Sequence, residues 1–182
     1  MFKRFTQDEN VSSNSQIKSS VQRSMRAKLI EQFPLIEEVL DDILPKKGNI
    51  TIAKCSNKVS LICRDNKIMF FQERDGPIFP TLRLVHQYPN FMPKMQVDKG
   101  AIKFILNGSN IMCPGFTSAG GRMEESIEAG QAVCIMAEGK QHALAIGLTV
   151  MSTDEIREQN KGIGVDNMHY LGDGLWGVPD LD

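Results

Sequence analysis

The sequence predicts an α+β protein built from two small units, a helix-and-sheet first unit and a β-rich, barrel-like second. Three observations carry this. Apolar residues recur at helical spacing between Ile17 and Ile43. Short apolar runs separated by turn pairs follow, from Ile50 to Gln72. Pro89 and Pro93 then bracket a change to chain rich in short strands and glycine turns. The expected units are residues 1–91, residues 92–176 and a short tail, 177–182.

Ile17, Val21, Met25, Leu29 and Phe33 recur every four residues and predict an amphipathic helix over 15–33. Ser12, Ser13 or Asn14 is the expected cap. Pro34 suits the first turn of a second helix, whose buried face is Leu35, Ile36, Val39, Leu40 and Ile43. Pro45 ends it. Lys46, Lys47 and Gly48 form a tip that is either a solvated loop or a phosphate contact. Strands are expected over 50–55, 58–63 and 67–72, joined by the turn pairs Ser56-Asn57 and Asp65-Asn66. Ile68 to Phe71 is apolar on both faces, which means burial on both sides or a partner surface. Thr81 to Tyr88 reads as a short helix with Leu82, Leu84 and Val85 inward.

The stretch QVDKGAIKFILNGSNIMCPG (96–115) reads as a short helix, a glycine turn and a strand over 110–113 that Pro114-Gly115 breaks. Asp98 caps the helix, Ala101, Ile102, Phe104 and Ile105 supply its apolar positions with Phe104 in the core, and Gly108 ends it. Lys99, Gly100 and Lys103 offer close backbone approach, free N–H groups and positive charge, the makings of a phosphate site. The same pattern also describes a helix packed on a sheet with solvated lysines. Further on, apolar runs over 132–137 and 142–150 flank a tight hairpin at Glu138-Gly139-Lys140. Ser152 to Glu155 is a capping box opening a polar helix that Lys161-Gly162 ends. A last strand is expected within 167–176, with Trp176 plugging the barrel.

Composition narrows the function. The chain has 182 residues, 41% of them hydrophobic, in no run long enough to span a bilayer. Its first residues lack the apolar core of a secretory signal, so a cytoplasmic protein without membrane contact is expected. Cys55, Cys63, Cys113 and Cys134 form no C-x-x-C pair, which points to free thiols and to no metal site. No cofactor-binding motif appears. Residues 1–95 carry 15 Lys and Arg against 10 Asp and Glu, a balance of +5, whereas residues 96–182 carry 6 against 12, a balance of −6. The acidic half is poorly suited to bulk electrostatic attraction of nucleic acid, and the basic half is suited to it. His86, His142 and His169 stand alone, no nucleophile or P-loop motif appears, and Asp41, Asp42, Asp65 and Asp75 lie at helix ends or turns. A non-catalytic protein is expected.

The 96–115 segment resembles the opening of a PUA domain, an RNA-binding module. AVCIMAEGKQHALAIGLTVMS (132–152), NKGIGVDNMHYLGDGLW (160–176) and FFQERDGPIFPTLRLVHQYP (70–89) extend the resemblance to the malignant T-cell amplified sequence protein family. It is weakest before about residue 34. The departures are Ala119, where the family tends to place a proline, and an acid-rich loop over 122–130. The resemblance implies a PUA pseudobarrel after a pre-PUA unit. It further implies a translation factor that pairs with density-regulated protein, the pair resembling ligatin, which carries equivalent domains in one chain, and that binds the 40S ribosomal subunit. Such a factor promotes tRNA release after termination and reinitiation. The PUA unit would engage the tRNA acceptor end and the first unit ribosomal RNA. The residues carried over are Lys99, Gly100, Ala101, Lys103, Gly108, Pro114, Gly115 and Lys140 for RNA, with Lys46 and Lys47 toward ribosomal RNA. The alternative is an accessory RNA-binding or protein-interaction subunit of an RNA-modification complex.

Overall fold

Two five-stranded sheets organise the chain, and the computed structural model describes all 182 residues. In order, the first part contains α1 (Gln7–Asn10), β1 (Val11–Gln16), α2 (Ser19–Gln32), a 3₁₀ turn (Pro34–Glu38) and α3 (Leu40–Ile43). It continues with β2 (Ile50–Cys55), β3 (Val59–Arg64), β4 (Lys67–Glu73), β5 (Ile78–Pro80) and α4 (Leu82–Gln87). The second part contains β6 (Lys94–Val97), a 3₁₀ turn (Lys99–Ala101) running into α5 (Ile102–Ile105), β7 (Ile111–Met112) and α6 (Cys113–Thr117). Then come β8 (Ala132–Ala137), β9 (Ala145–Thr149), α7 (Thr153–Gln159) and β10 (Ile163–Tyr170). This is the α+β order expected, with a mixed second sheet.

The first sheet is antiparallel throughout, in order β1-β2-β3-β4-β5. Asp65 and Asn66 both take positive φ, the pair of left-handed residues that closes a two-residue hairpin between β3 and β4. Ile68, Met69, Phe70 and Phe71 are all buried, so β4 is covered on both faces. Met25 and Leu29 of α2, and Phe33 just after it, join them in one core with Ile36, Leu40 and Ile43.

Three expectations for this part need correction. The residues proposed as helix caps, Ser12, Ser13 and Asn14, lie in β1, paired with β2, and α2 begins only at Ser19 with no side-chain cap on Lys18. As an edge strand exposed on both faces, β1 shows no alternation, and its polar sequence reads as a helix entry. Val21 is 43% exposed and Leu35 65%, so neither belongs to the core. The 3₁₀ turn after Pro34 winds tighter than an α-helix and rotates Leu35 out of the apolar stripe.

The second sheet runs β6-β8-β9-β10-β7, with β6 parallel to β8 and the other pairs antiparallel. It curls around a second core that includes Val97, Ile105, Phe116, Ile135 and Val165. At Gly147 in β9 an added Cβ would meet Val165 Cγ1 at 2.3 Å, so only glycine lets β9 and β10 approach. Pro114 does not break a strand. It occupies the first turn of α6, where its missing N–H leaves nothing unpaired. The hairpin tip turns at Gly139 (φ 74°), with Lys140 N donating to Ala137 O, but β9 starts later than expected, at Ala145. The capping box on α7 forms in both directions. The last strand spans Ile163–Tyr170, several residues earlier than expected.

The two cores meet. Ala132, Cys134, Ala143 and Ile146 of the second part pack into the first core, as do Leu175 and Leu181 from the chain's end. Trp176 does not plug the barrel. The Arg83 guanidinium stacks 3.9 Å above its ring and donates to its carbonyl at 2.8 Å, and His86 packs at its edge, so Trp176 sits on the seam between the parts. Nor are the histidines isolated. His169 Nδ1 lies 2.8 Å from Asp173 Oδ2, both fully buried, and Asp173 also accepts from the backbone of Tyr170 and Trp176. The His169 ring packs edge-on against Phe2 and Phe71. The terminal residues return to the first sheet, where Ile68 N donates to Pro179 O and Leu181 N to Asn66 O.

Candidate nucleic-acid interface

Asp98 begins the site. Its backbone is extended, and one carboxylate oxygen accepts from Ala101 N at 2.9 Å while the other accepts from Ser118 Oγ. The cap turns the chain from β6 into the 3₁₀ turn and α5, which lies beside β7 and the start of α6. Gly108 (φ 93°) ends the helical segment, with Gly108 N donating to Ile105 O.

Between these elements runs a groove of about 730 Å³. Gly100, Ala101, Pro114 and Gly115 all line it. An added Cβ on Gly115 would be only in ordinary contact with Ala101 and Val97, so Ala101 and Gly115 sit side by side and glycine is not sterically obligatory there. Phe104, Met112 and Ile163 line the groove and remain 56%, 49% and 38% exposed. Phe104, expected in the core, is therefore a surface aromatic. The preceding 3₁₀ turn shifts the phase of the helix by enough to bring it to the rim. Ser109 and Asn110 add polar groups at one end.

Of the residues singled out in the sequence, Gly100, Ala101, Pro114 and Gly115 line the groove directly. Lys99 and Lys103 flank it, with Lys103 Nζ 5.1 Å from the Phe104 ring centroid. Gly108 shapes the adjoining turn, where a Cβ would approach the Tyr170 hydroxyl at 3.4 Å. Lys140 lies outside the groove. It lines a separate cleft between the two parts of the chain. Lys46 and Lys47 are exposed in the turn after α3, in the other part of the molecule. One backbone donor expected to be free is taken, since Lys99 N donates to Glu138 Oε2 at 3.2 Å, and Ala101 N is held by the Asp98 cap. The positive charge beside the groove is that of the lysine ammonium groups. What sequence reading missed is the exposed apolar set Phe104, Met112 and Ile163; β7 pairs Met112 with Ile163, which places the two side by side.

Chemically the groove offers apolar and aromatic surface, a few polar atoms and flanking cations. No three His, Cys, Asp or Glu side chains gather where a metal ion could sit. Burial pushes the thiols of Cys63 and Cys134 up to about 12 and that of Cys55 to about 11, which leaves them protonated and poorly nucleophilic. No helix is long and apolar enough to cross a membrane.

Comparison with known proteins agrees with this architecture. Residues 5–89 match a pre-PUA-like domain and residues 93–171 a PUA domain. A solved hypothetical protein of the archaeon Pyrococcus horikoshii superposes with a TM-score of 0.76 at 27% identity, over 92% of this chain and 99% of that one. Malignant T-cell-amplified sequence 1-A of Xenopus laevis is 51% identical over 176 residues, 97% of each chain. Translation machinery-associated protein 20 of Schizosaccharomyces pombe is 49% identical over 176 residues, again 97% of each. With this identity over nearly its full length, the chain belongs to the malignant T-cell-amplified sequence family.

Proposed function

We propose that this chain is a non-catalytic, cytoplasmic translation factor whose PUA groove holds an unpaired RNA end. The observation that carries the reading is the groove itself. The small lining residues Gly100, Ala101 and Gly115 admit an RNA backbone, and the exposed Phe104 and Met112 suit unstacked bases. Lys99 and Lys103 supply local positive charge to a half whose balance is −6. A protein that reads a single-stranded end by stacking needs few phosphate contacts, so the acidic balance is compatible with RNA here. The name of the Schizosaccharomyces pombe relative associates that protein with the translation machinery.

In this reading the chain pairs with density-regulated protein, binds the 40S subunit, engages the tRNA acceptor end and promotes tRNA release and reinitiation. Lys46 and Lys47, in the basic part, face ribosomal RNA. The test is co-sedimentation of the purified chain with purified small subunits across a salt series, with and without density-regulated protein. Salt-sensitive association strengthened by the partner is the expected result, and absence of association at low salt overturns the reading.

The acidic charge and the apolar groove also favour a second reading, a protein-interaction subunit in which the groove takes a peptide. The charge-reversed pair Lys99→Glu and Lys103→Glu separates the two. Loss of subunit binding with the partner retained supports RNA contact, and full subunit binding supports the scaffold.

A further inference from the structure

The six cations of residues 96–182 are not evenly used. Arg122 pairs with Glu124 at 3.2 Å and Arg157 with Asp154 at 3.5 Å, whereas Lys99, Lys103, Lys140 and Lys161 form no ion pair. Three of these four gather. Lys99 and Lys103 flank the groove, and the β8–β9 turn lies against Lys99: an added Cβ on Gly139, the residue before Lys140, would touch Lys99 Cε at 3.6 Å. The Glu138 carboxylate, between them in sequence, accepts from Lys99 N at 3.2 Å and fixes the turn against the helical segment.

On the far side of this ridge lies the interdomain cleft, about 760 Å³ in volume. Lys94, Arg122 and Lys140 line it, with Gln96, and Leu35 and Met136 provide apolar surface. Leu35 is 65% exposed there, without a covering partner in the chain. The two carboxylates in the cleft already have partners: Glu125 accepts from Lys94 N at 2.7 Å, and Glu124 pairs with Arg122. Three cations, Lys94, Arg122 and Lys140, thus face two carboxylates, a small positive excess supplied by Lys94, which belongs to the basic stretch 1–95.

We propose that single-stranded RNA seated in the groove continues over the Lys99–Lys140 ridge into the interdomain cleft, where Lys140 and Lys94 hold its phosphates. This rests on the groove reading and extends it with a second subsite that makes binding depend on strand length. Lys140 acts only on nucleotides outside the groove. A charged track with adjoining apolar surface is the usual construction for a single strand read without base edges.

The test is fluorescence anisotropy of the full chain with two oligoribonucleotides sharing one 3′ sequence, about 4 and about 12 nucleotides long, the range of single-strand site sizes. The expected result is tighter binding of the longer strand by wild type, with a salt dependence steeper by about 0.7 for each added phosphate contact. Lys140→Glu should erase that gain and the added slope, and Lys140→Arg should retain both. Equal loss on both strands would place Lys140 in the groove and overturn the track. No loss on either, with wild type binding both, would also overturn it. If wild type binds neither strand, the groove reading fails and the track with it. If Lys140→Glu instead releases density-regulated protein while long-strand affinity stays, the cleft is a protein surface and the track is wrong.

Discussion

At the scale of single residues, Phe104 distinguishes a working surface from a packed helix. Its ring is more than half exposed at the groove rim, so truncation removes little core. Phe104→Ala should weaken binding of a single-stranded oligoribonucleotide by about 1–3 kcal/mol, the usual worth of one base-stacking contact. Urea unfolding should shift far less than the roughly 3–5 kcal/mol expected for a buried phenylalanine. A large stability loss in that titration would return Phe104 to the core and remove the stacking platform. Its exposure was not legible in the sequence, because Ala101, Ile102, Phe104 and Ile105 fit helical spacing and only the 3₁₀ phase shift turns the ring outward. The thiols give a second prediction. Burial raises Cys63 and Cys134 to about 12, so the unfolded chain loses these protons at lower pH than the folded one. Stability is then fully present below the ordinary thiol range and falls as pH rises from about 9 toward 12, by up to about 1.4 kcal/mol per pH unit for each group. The double variant Cys63→Ala and Cys134→Ala should flatten this decline in urea titrations at pH 8 to 10.

At the scale of elements, the segment from Asp98 to Gly115 depends on one cap. The helical stretch is too short to hold itself, and Asp98 ties its start both to Ala101 N and to Ser118 in the turn after α6. Asp98→Ala should cost about 1 kcal/mol of stability, the usual value of an N-cap. It should also weaken RNA binding beyond that of a variant at a distant cap such as Thr81→Ala on α4, since only the first displaces a groove wall. Equal RNA affinity in the two variants would show that the wall holds its place without the cap. Asp98, Thr81 and the Ser152–Glu155 box could be read from sequence, because each combines a capping residue with an apolar run. β1, β5 and β6 could not. β1 is polar and exposed, β5 has three residues, and β6 has four and owes its place to a parallel pairing with β8, a long-range contact that local pattern does not encode.

At the scale of the whole molecule, the two sheets share packing across the seam, and the end of the chain closes it. Residues 177–182, expected as a tail, bring Leu181 into the first core at 2% exposure, while Lys67 and Asp180 pair through their backbones in an isolated antiparallel β-bridge alongside. The domain order was legible because Pro89 and Pro93 interrupt the pattern; the shared seam was not, since Ala132, Cys134, Ala143 and Ile146 read simply as strand residues of the second sheet. The His169–Asp173 pair adds a polar pin at the same place, packed against Phe2 and Phe71 and bonded to the turn that carries Trp176. A common core of this kind couples the folding of its parts, so the full chain should unfold in urea as one transition by both far-ultraviolet circular dichroism and Trp176 fluorescence. Leu181→Ala removes a buried side chain near a chain end that can partly collapse, which sets the expected cost at about 2 kcal/mol, the low end for such truncations. If the seam is as coupled as its packing indicates, that loss moves both probes together. Should the fluorescence midpoint fall while the circular dichroism midpoint of the second sheet stays in place, the parts fold independently, and a ligand spanning groove and cleft would have to order their interface as it binds.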